Sequence, residues 1–305
     1  MKYAFQRSQT LLLLSLFATS VCGAAFAASQ AGAQQTFTSP GQAVHALFVA
    51  VKADNQSELQ HLFGPGSEIL INSGDAEQDA HNRQTFVEKY QQVHRLVRNH
   101  DGDVTLYIGA ENWPFPIPLI EQNGAWVFDT AAGKQQILYR RIGKNEFSAI
   151  EVCQELVAAE KEHYAGAHPG EVGQYAPYFV AQTGEHNGLF HSSEHGQPEI
   201  GPLLAHAGLP SPGEHTPFHG YLYRILKAQG PDAPGGAKDY IVNGKMTGGF
   251  AFVAYPAEYG STGVMTFIVN QNGTVYEKNL GADTTELAKS MAAYNPDSSW
   301  QKTEQ

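Results

Sequence analysis

KQQILYRRIGKNEFSAIEVCQELVAAEKEHY, residues 134–164, is the stretch on which the fold turns. Lys134 to Ile142 reads as one helix and Gly143 interrupts it. Asn145 then caps a second helix that runs to about Tyr164. In that second helix Phe147, Ile150, Cys153, Val157 and Tyr164 recur at roughly three- and four-residue spacing. Such a stripe needs an apolar cover, and the strand-like segments that follow can supply it. The expected fold class is therefore α+β in two parts. Residues 38–142 place N-terminal helices on a curved antiparallel sheet, and residues 143–305 place a long helix on a second antiparallel sheet.

Upstream, Ser39-Pro40 gives an N-cap and a proline at the first helical position, with Val44, Leu47, Phe48 and Val51 inward. Asn55 caps a short helix carrying Leu59, Leu62 and Phe63, which Gly64-Pro65-Gly66 stops. A third helix is expected from Ala76 to Val97, with Phe86, Tyr90, Val93 and Val97 inward. After His100-Asp101-Gly102 the apolar period falls to two. Val104 to Ile108, Trp113 to Leu119, and Trp126 to Phe128 then read as strands, with Asn123-Gly124 as a hairpin turn. Pro114, Pro116 and Pro118 alternate, which suits an edge strand. Downstream, strands are expected at Tyr221–Ala228, Tyr240–Val242, Gly249–Tyr255, Met265–Asn270 and Thr274–Lys278. Gln271-Asn272-Gly273 joins the last two.

The first 27 residues address the protein. Lys2 and Arg7 precede an apolar run through Leu11–Leu14 and Leu16-Phe17-Ala18, and Ala25-Phe26-Ala27 presents small residues to a signal peptidase. Cleavage after Ala27 is expected, with a flexible leader to residue 37 and a periplasmic or secreted destination. Val21 and Thr19 do not suit a lipoprotein site at Cys22. The whole chain carries a formal net charge of −11. Lys2 and Arg7 leave with the leader, so the mature chain keeps 17 basic residues against 30 acidic ones. That balance disfavours nucleic acid as a partner. No second apolar run is long enough for an integral membrane segment. Cys153 alone remains, on the apolar stripe, which reads as a core thiol rather than a nucleophile.

The segments Gly220-Tyr221-Leu222-Tyr223-Arg224, Ala233-Pro234-Gly235-Gly236-Ala237, Gly248-Gly249-Phe250-Ala251, Tyr255-Pro256-Ala257-Glu258-Tyr259-Gly260 and Met265-Thr266-Phe267-Ile268-Val269 follow one another in order. Arg140-Arg141-Ile142-Gly143 with Asn145-Glu146 precedes them, and Asn295-Pro296-Asp297 with Trp300 closes the set. In these residues the chain resembles the bacterial family called domain of unknown function 2950. That resemblance implies exported proteins without an established activity, and it carries over no catalytic residue. The order of elements over residues 38–130 resembles the nuclear-transport-factor-like cone, a curved sheet around a long helix that often leaves a pocket. The C-terminal half resembles the globular head of type IV pilin-like proteins, although no apolar helix precedes Asn145 as it does in pilins.

Two groups of residues are candidates for chemistry. Tyr107, Trp113, Phe115, Trp126 and Phe128 either line a ligand pocket in the cone or form the sheet's core face. Residues 162–223 hold eight histidines and six glutamates with no Lys, Arg or Asp before Arg224. His191 with His195 and His215 with His219 are i, i+4 pairs, and with His186 they are the candidate ligands for zinc or copper. Pro217 works against helical geometry at the second pair, and a solvated loop is the simpler reading. No assembled catalytic motif is present. The expected function is an envelope protein that binds a partner or small molecule without catalysis and without a cofactor. The alternative is a metal-dependent or other hydrolase using the His-rich region.

Overall fold

The computed structural model describes residues 33–72, 76–166, 173–180, 187–190 and 217–304. Helix α1 (Pro40–Lys52) starts where Ser39 accepts a hydrogen bond from the Gln42 amide, and it buries Ala43, Val44, Leu47 and Ala50. Helix α2 (Gln56–Phe63) is capped by the Asn55 side chain. Helices α3 (Glu68–Ile71) and α4 (Ala76–Gln92) follow.

α4 ends five residues short of Val97. His94–Arg98 forms strand β1, paired in antiparallel register with β2 (Val104–Ile108) so that Leu96 faces Leu106. A strand ladder there outweighs the helical spacing of Val93 and Val97, both β-branched residues that suit extended backbone. β3 is only Trp113–Pro114, because Pro114, Pro116 and Pro118 lack the donors a longer ladder needs. β4 (Leu119–Gln122) and β5 (Ala125–Phe128) are joined by Asn123-Gly124, with φ of 53° and 77°. Both values belong to the tight hairpin turn that Asn-Gly favours. The sheet order is β1-β2-β4-β5, with β3 attached to β2. Val104, Leu106, Ile108, Leu119, Trp126 and Phe128 pack with α1, α2 and α4 residues in one apolar cluster.

Helix α5 (Thr130–Ala165) is continuous over 36 residues, about 54 Å at 1.5 Å per residue. Gly143 therefore does not interrupt it. One interior glycine costs only about 1 kcal/mol relative to alanine, and contacts made on either side of Gly143 exceed that. Asn145 is not a cap. Its Nδ2 donates to the Thr262 carbonyl at 2.9 Å. The cap is Asp129, which accepts from the Ala132 amide. Phe147, expected inward, is 71% exposed. The buried stripe is Ala149, Val152, Cys153, Leu156 and Val157, one helical position round from the predicted one.

A parallel pair, β6 (Tyr178–Val180) and β7 (Gly188–Phe190), lies beside α5. β8 (Tyr221–Leu226) then enters the second large sheet. Two short hairpins follow: β9 (Ala228–Gln229) with β10 (Lys238–Asp239), and β11 (Ile241–Val242) with β12 (Lys245–Met246). β13 (Ala251–Pro256), β14 (Met265–Asn270), β15 (Tyr276–Asn279), helix α6 (Thr284–Ser290) and β16 (Gln301–Lys302) complete the chain. The sheet order is β16-β15-β14-β13-β8, antiparallel throughout. α5 lies over β14 and β13 on one face, and α6 lies against β13. β13 is buried at every residue and β14 at five of six. A strand covered on both faces reads as an unbroken apolar run, as these do. Arg224, on β8, donates to the Ala288 carbonyl at the end of α6.

The middle of α5 holds this sheet through the loop before β14. Arg141 donates to the Ser261 carbonyl at 3.2 Å, and Asn145 reaches Thr262. Glu146 Oε1 accepts from the Val264 and Met265 amides at 2.9 and 3.0 Å. Two backbone donors on one carboxylate oxygen make charge-assisted hydrogen bonds. Glu146→Ala leaves both amides without that acceptor and should lower stability by roughly 2–4 kcal/mol. Chemical denaturation of the two proteins at neutral pH checks this, and an unchanged midpoint would show that the clamp is idle.

Candidate functional site

The five aromatic residues proposed to line a pocket do not face one cavity. Trp126 and Phe128, two residues apart on β5, share the core face, and Phe128 meets the Phe63 ring edge-on at 5.2 Å. Tyr107 lies on the opposite face from its neighbours Leu106 and Ile108, where the Arg95 guanidinium sits 4.6 Å from its ring centre. Trp113 is at the sheet margin under Arg140 at 5.1 Å, and Arg98 covers Trp126 at 5.0 Å. Phe115 packs against the core and meets Phe86 edge-on at 5.6 Å. Three of the aromatic rings thus carry a guanidinium over them.

His186, His191, His195 and His215 lie outside the described residues. His219 precedes β8 with φ of 47°, its ring 4.1 Å from that of Phe218. Among the described residues no three His, Cys, Asp or Glu side chains group as a metal site.

A groove of about 410 Å³ opens instead where residues 174–178 meet the β11–β12 hairpin. Gln174, Pro177, Tyr178, Asn187, Lys227, Ile241 and Lys245 line it, with Gly244 and Met246. The hairpin exists because Asn243 and Gly244 take φ of 52° and 77°, the conformation that an Asn-Gly pair favours. Ile241 then pairs with Met246 and Val242 with Lys245. The Tyr175 amide donates to the Met246 carbonyl at 2.8 Å, which docks the 173–178 segment on this hairpin. The Lys227 ammonium lies 5.4 Å from the Tyr178 ring centre. Asn243-Gly244 is the same sequence signal as Asn123-Gly124. Its flanking strands are only two residues long, too short for an alternating pattern to mark them in the sequence.

One wall of the groove is tied to α5 by a buried carboxyl. Glu160 is fully buried, and its Oε2 accepts from the Ala176 amide at 2.9 Å. Its Oε1 has no hydrogen-bond partner among the described residues. Burial pushes this carboxyl up to about 8, and the Ala176 amide pulls it only partly back. It is therefore mainly protonated at neutral pH. Nearby Tyr164 stacks on Tyr175 at 4.6 Å, and Tyr175 meets Phe250 at 4.8 Å. Cys153 is buried against the same sheet, its thiol pushed up to about 12 by desolvation. A thiol in that state is a poor nucleophile.

A family model described as "Protein of unknown function (DUF2950)" matches residues 34–303. No curated protein matches the chain, and no solved structure does. All the segments that carried the sequence resemblance, from Arg140 to Trp300, lie within the matched residues.

The Glu160 carboxyl gives a pH dependence with a definite sign. Its folded-state value of about 8 lies above the unfolded reference, which is about 4.3. The folded state therefore binds the extra proton. Its stability contribution is complete below pH ~4.3 and is lost as pH rises towards about 8. Glu160→Gln keeps an acceptor for Ala176 and cannot ionise. It should raise the unfolding midpoint relative to the parent, with a gap that widens between pH 5 and 8 by on the order of a few kcal/mol. A gap independent of pH would mean that Glu160 is already ionised in the folded protein.

Proposed function

We propose that this chain, which belongs to the DUF2950 family, is an exported envelope protein that works by binding, and that the groove between residues 174–178 and the β11–β12 hairpin holds a small anionic ligand. The observation that carries the binding reading is the pair Lys227 and Lys245 in the lining, with the Gln174 and Asn187 amides beside them. Ammonium groups donate only, and amide side chains supply further donors, a set that suits a carboxylate. The location matters because the chain as a whole carries a net charge of −11. A local reversal of sign concentrates anions that the remaining surface repels. A groove of this size falls within the range of small-molecule sites. The export reading rests on the basic start, apolar run and Ala25-Phe26-Ala27 of residues 1–27.

Titration calorimetry with citrate as the probe tests the groove. Citrate should bind the mature protein, and the Lys227→Ala, Lys245→Ala double variant should bind at least about tenfold more weakly, a loss of ~1.4 kcal/mol. Absence of binding, or equal binding by the variant, would remove the anion reading. Stoichiometric zinc or copper in protein purified without a histidine tag would favour the metal-dependent hydrolase instead.

Export has its own test. N-terminal sequencing of protein from the periplasmic or culture fraction should read from Ala28. Intact Met1, or lipid on Cys22, would overturn it.

A further inference from the structure

α5 covers β13 and β14 but leaves the margin of the same sheet face open. Between Gly143, Glu146, Phe147 and Ile150 of the helix and β15, β16 and residues 303–304 runs a trough of about 290 Å³. Gly143 faces open space here, since a Cβ at that position would meet nothing within 4 Å. Phe267, fully buried, contributes to the floor, and Ile150 packs against the same apolar cluster. Phe147 stands at the rim with 71% of its surface exposed, the largest value among the exposed large apolar residues described. Together with Ile150 and the Phe267 floor it gives the trough an apolar side.

The charged lining is one-sided. Glu146, Glu277 and Glu304 face a single cation, Lys302. Glu146 is engaged by the Val264 and Met265 amides, which leaves Glu277 and Glu304 as the carboxylates not so held. The Glu277 carboxyl is raised first by burial and then by repulsion from Glu146 and Glu304. A cation placed in the trough would relieve that repulsion. Beyond the trough, β16 pairs only with β15 among the described strands. Its outer edge therefore presents backbone donors and acceptors to whatever lies alongside.

We propose that this trough docks an extended cationic segment of a partner protein. An apolar side chain packs on Phe147 and Ile150, Lys or Arg side chains meet Glu277 and Glu304, and the backbone runs along the outer edge of β16, which no other described strand pairs. This is strand addition with charge-selected side-chain pockets. A second copy fits poorly, because a two-fold contact would bring the same glutamates against one another. An anionic membrane is repelled for the same reason.

Fluorescence anisotropy on the full mature protein tests this, with a labelled ten-residue peptide of alternating Lys and Leu as the probe and a Glu-Leu peptide as the control. The Lys-Leu peptide should bind, and the Glu-Leu peptide should not. Phe147→Ser and Glu277→Gln should each weaken binding at least about fivefold, whereas Glu58→Gln on the distant α2 should leave it unchanged. Phe147 is exposed, so its replacement spares the fold, and an unchanged circular dichroism spectrum verifies that. Binding insensitive to Phe147→Ser would reduce the effect to general attraction by an acidic surface and overturn the proposal. So would equal binding of the Glu-Leu peptide, or a dimer in sedimentation that Phe147→Ser dissolves.

Discussion

The Glu146 carboxylate, accepting the Val264 and Met265 amides at the entrance to β14, is the contact on which the C-terminal half depends. β14 lies at the middle of its sheet, with β13 and β8 on one side and β15 and β16 on the other. A side chain that fixes its first residue fixes the register of both neighbours, because a one-residue slip would turn Phe267 and Val269 to the other face. Arg141 and Asn145 secure the preceding loop at Ser261 and Thr262. Close packing completes the joint. A Cβ on Gly220 would collide with Asn145, and one on Gly263 with the Tyr221 hydroxyl. Side chains that reach so far along the chain favour one arrangement of helix and sheet over near alternatives.

Much of this was legible in the sequence, and the errors have identifiable causes. The α+β class, the Ser39 and Asn55 caps and the Asn123-Gly124 hairpin each have a local physical cause, and the structure contains them. The helix across Gly143 was misread because a glycine inside a helical pattern lowers propensity by an amount that tertiary contacts easily exceed. Asn145 looks like a cap for the same reason that it serves as a clamp: a short amide side chain reaches a backbone group. Its partner Thr262 lies 117 residues away, and no local pattern reports that contact. Phe147 was placed inward on spacing alone. The buried stripe runs through Ala149, Val152, Cys153, Leu156 and Val157, so Cys153 and Val157 lie inward as expected and the stripe is centred to one side of Phe147.

The site was less legible than the fold. Aromatic residues drew attention because they are large. Yet Trp126 and Phe128 are core, and Tyr107 and Trp113 lie under arginines. The two grooves proposed to bind arise where elements end rather than where they are long. One is made by a two-residue hairpin and a docked strand-like segment, the other by the margin of a sheet that its helix does not fully cover. Neither leaves a periodic signature.

α5 supports both grooves, lining one with Glu146 and holding a wall of the other through Glu160. Glu146, near its middle, orders β14 and lines the acidic trough. Glu160, four turns further on, fixes Ala176 and so the wall that carries Gln174 and Tyr178. The two carboxyls differ in what surrounds them. Glu146 gives one oxygen to two amides and is only partly buried, so hydrogen bonding dominates its surroundings. Glu160 has a single amide and no exposure, so burial dominates and the neutral acid is favoured. Hydrogen bonding and desolvation, set by how deeply each residue lies, thus give one helix a two-amide clamp at its middle and a neutral tether towards its C-terminal end.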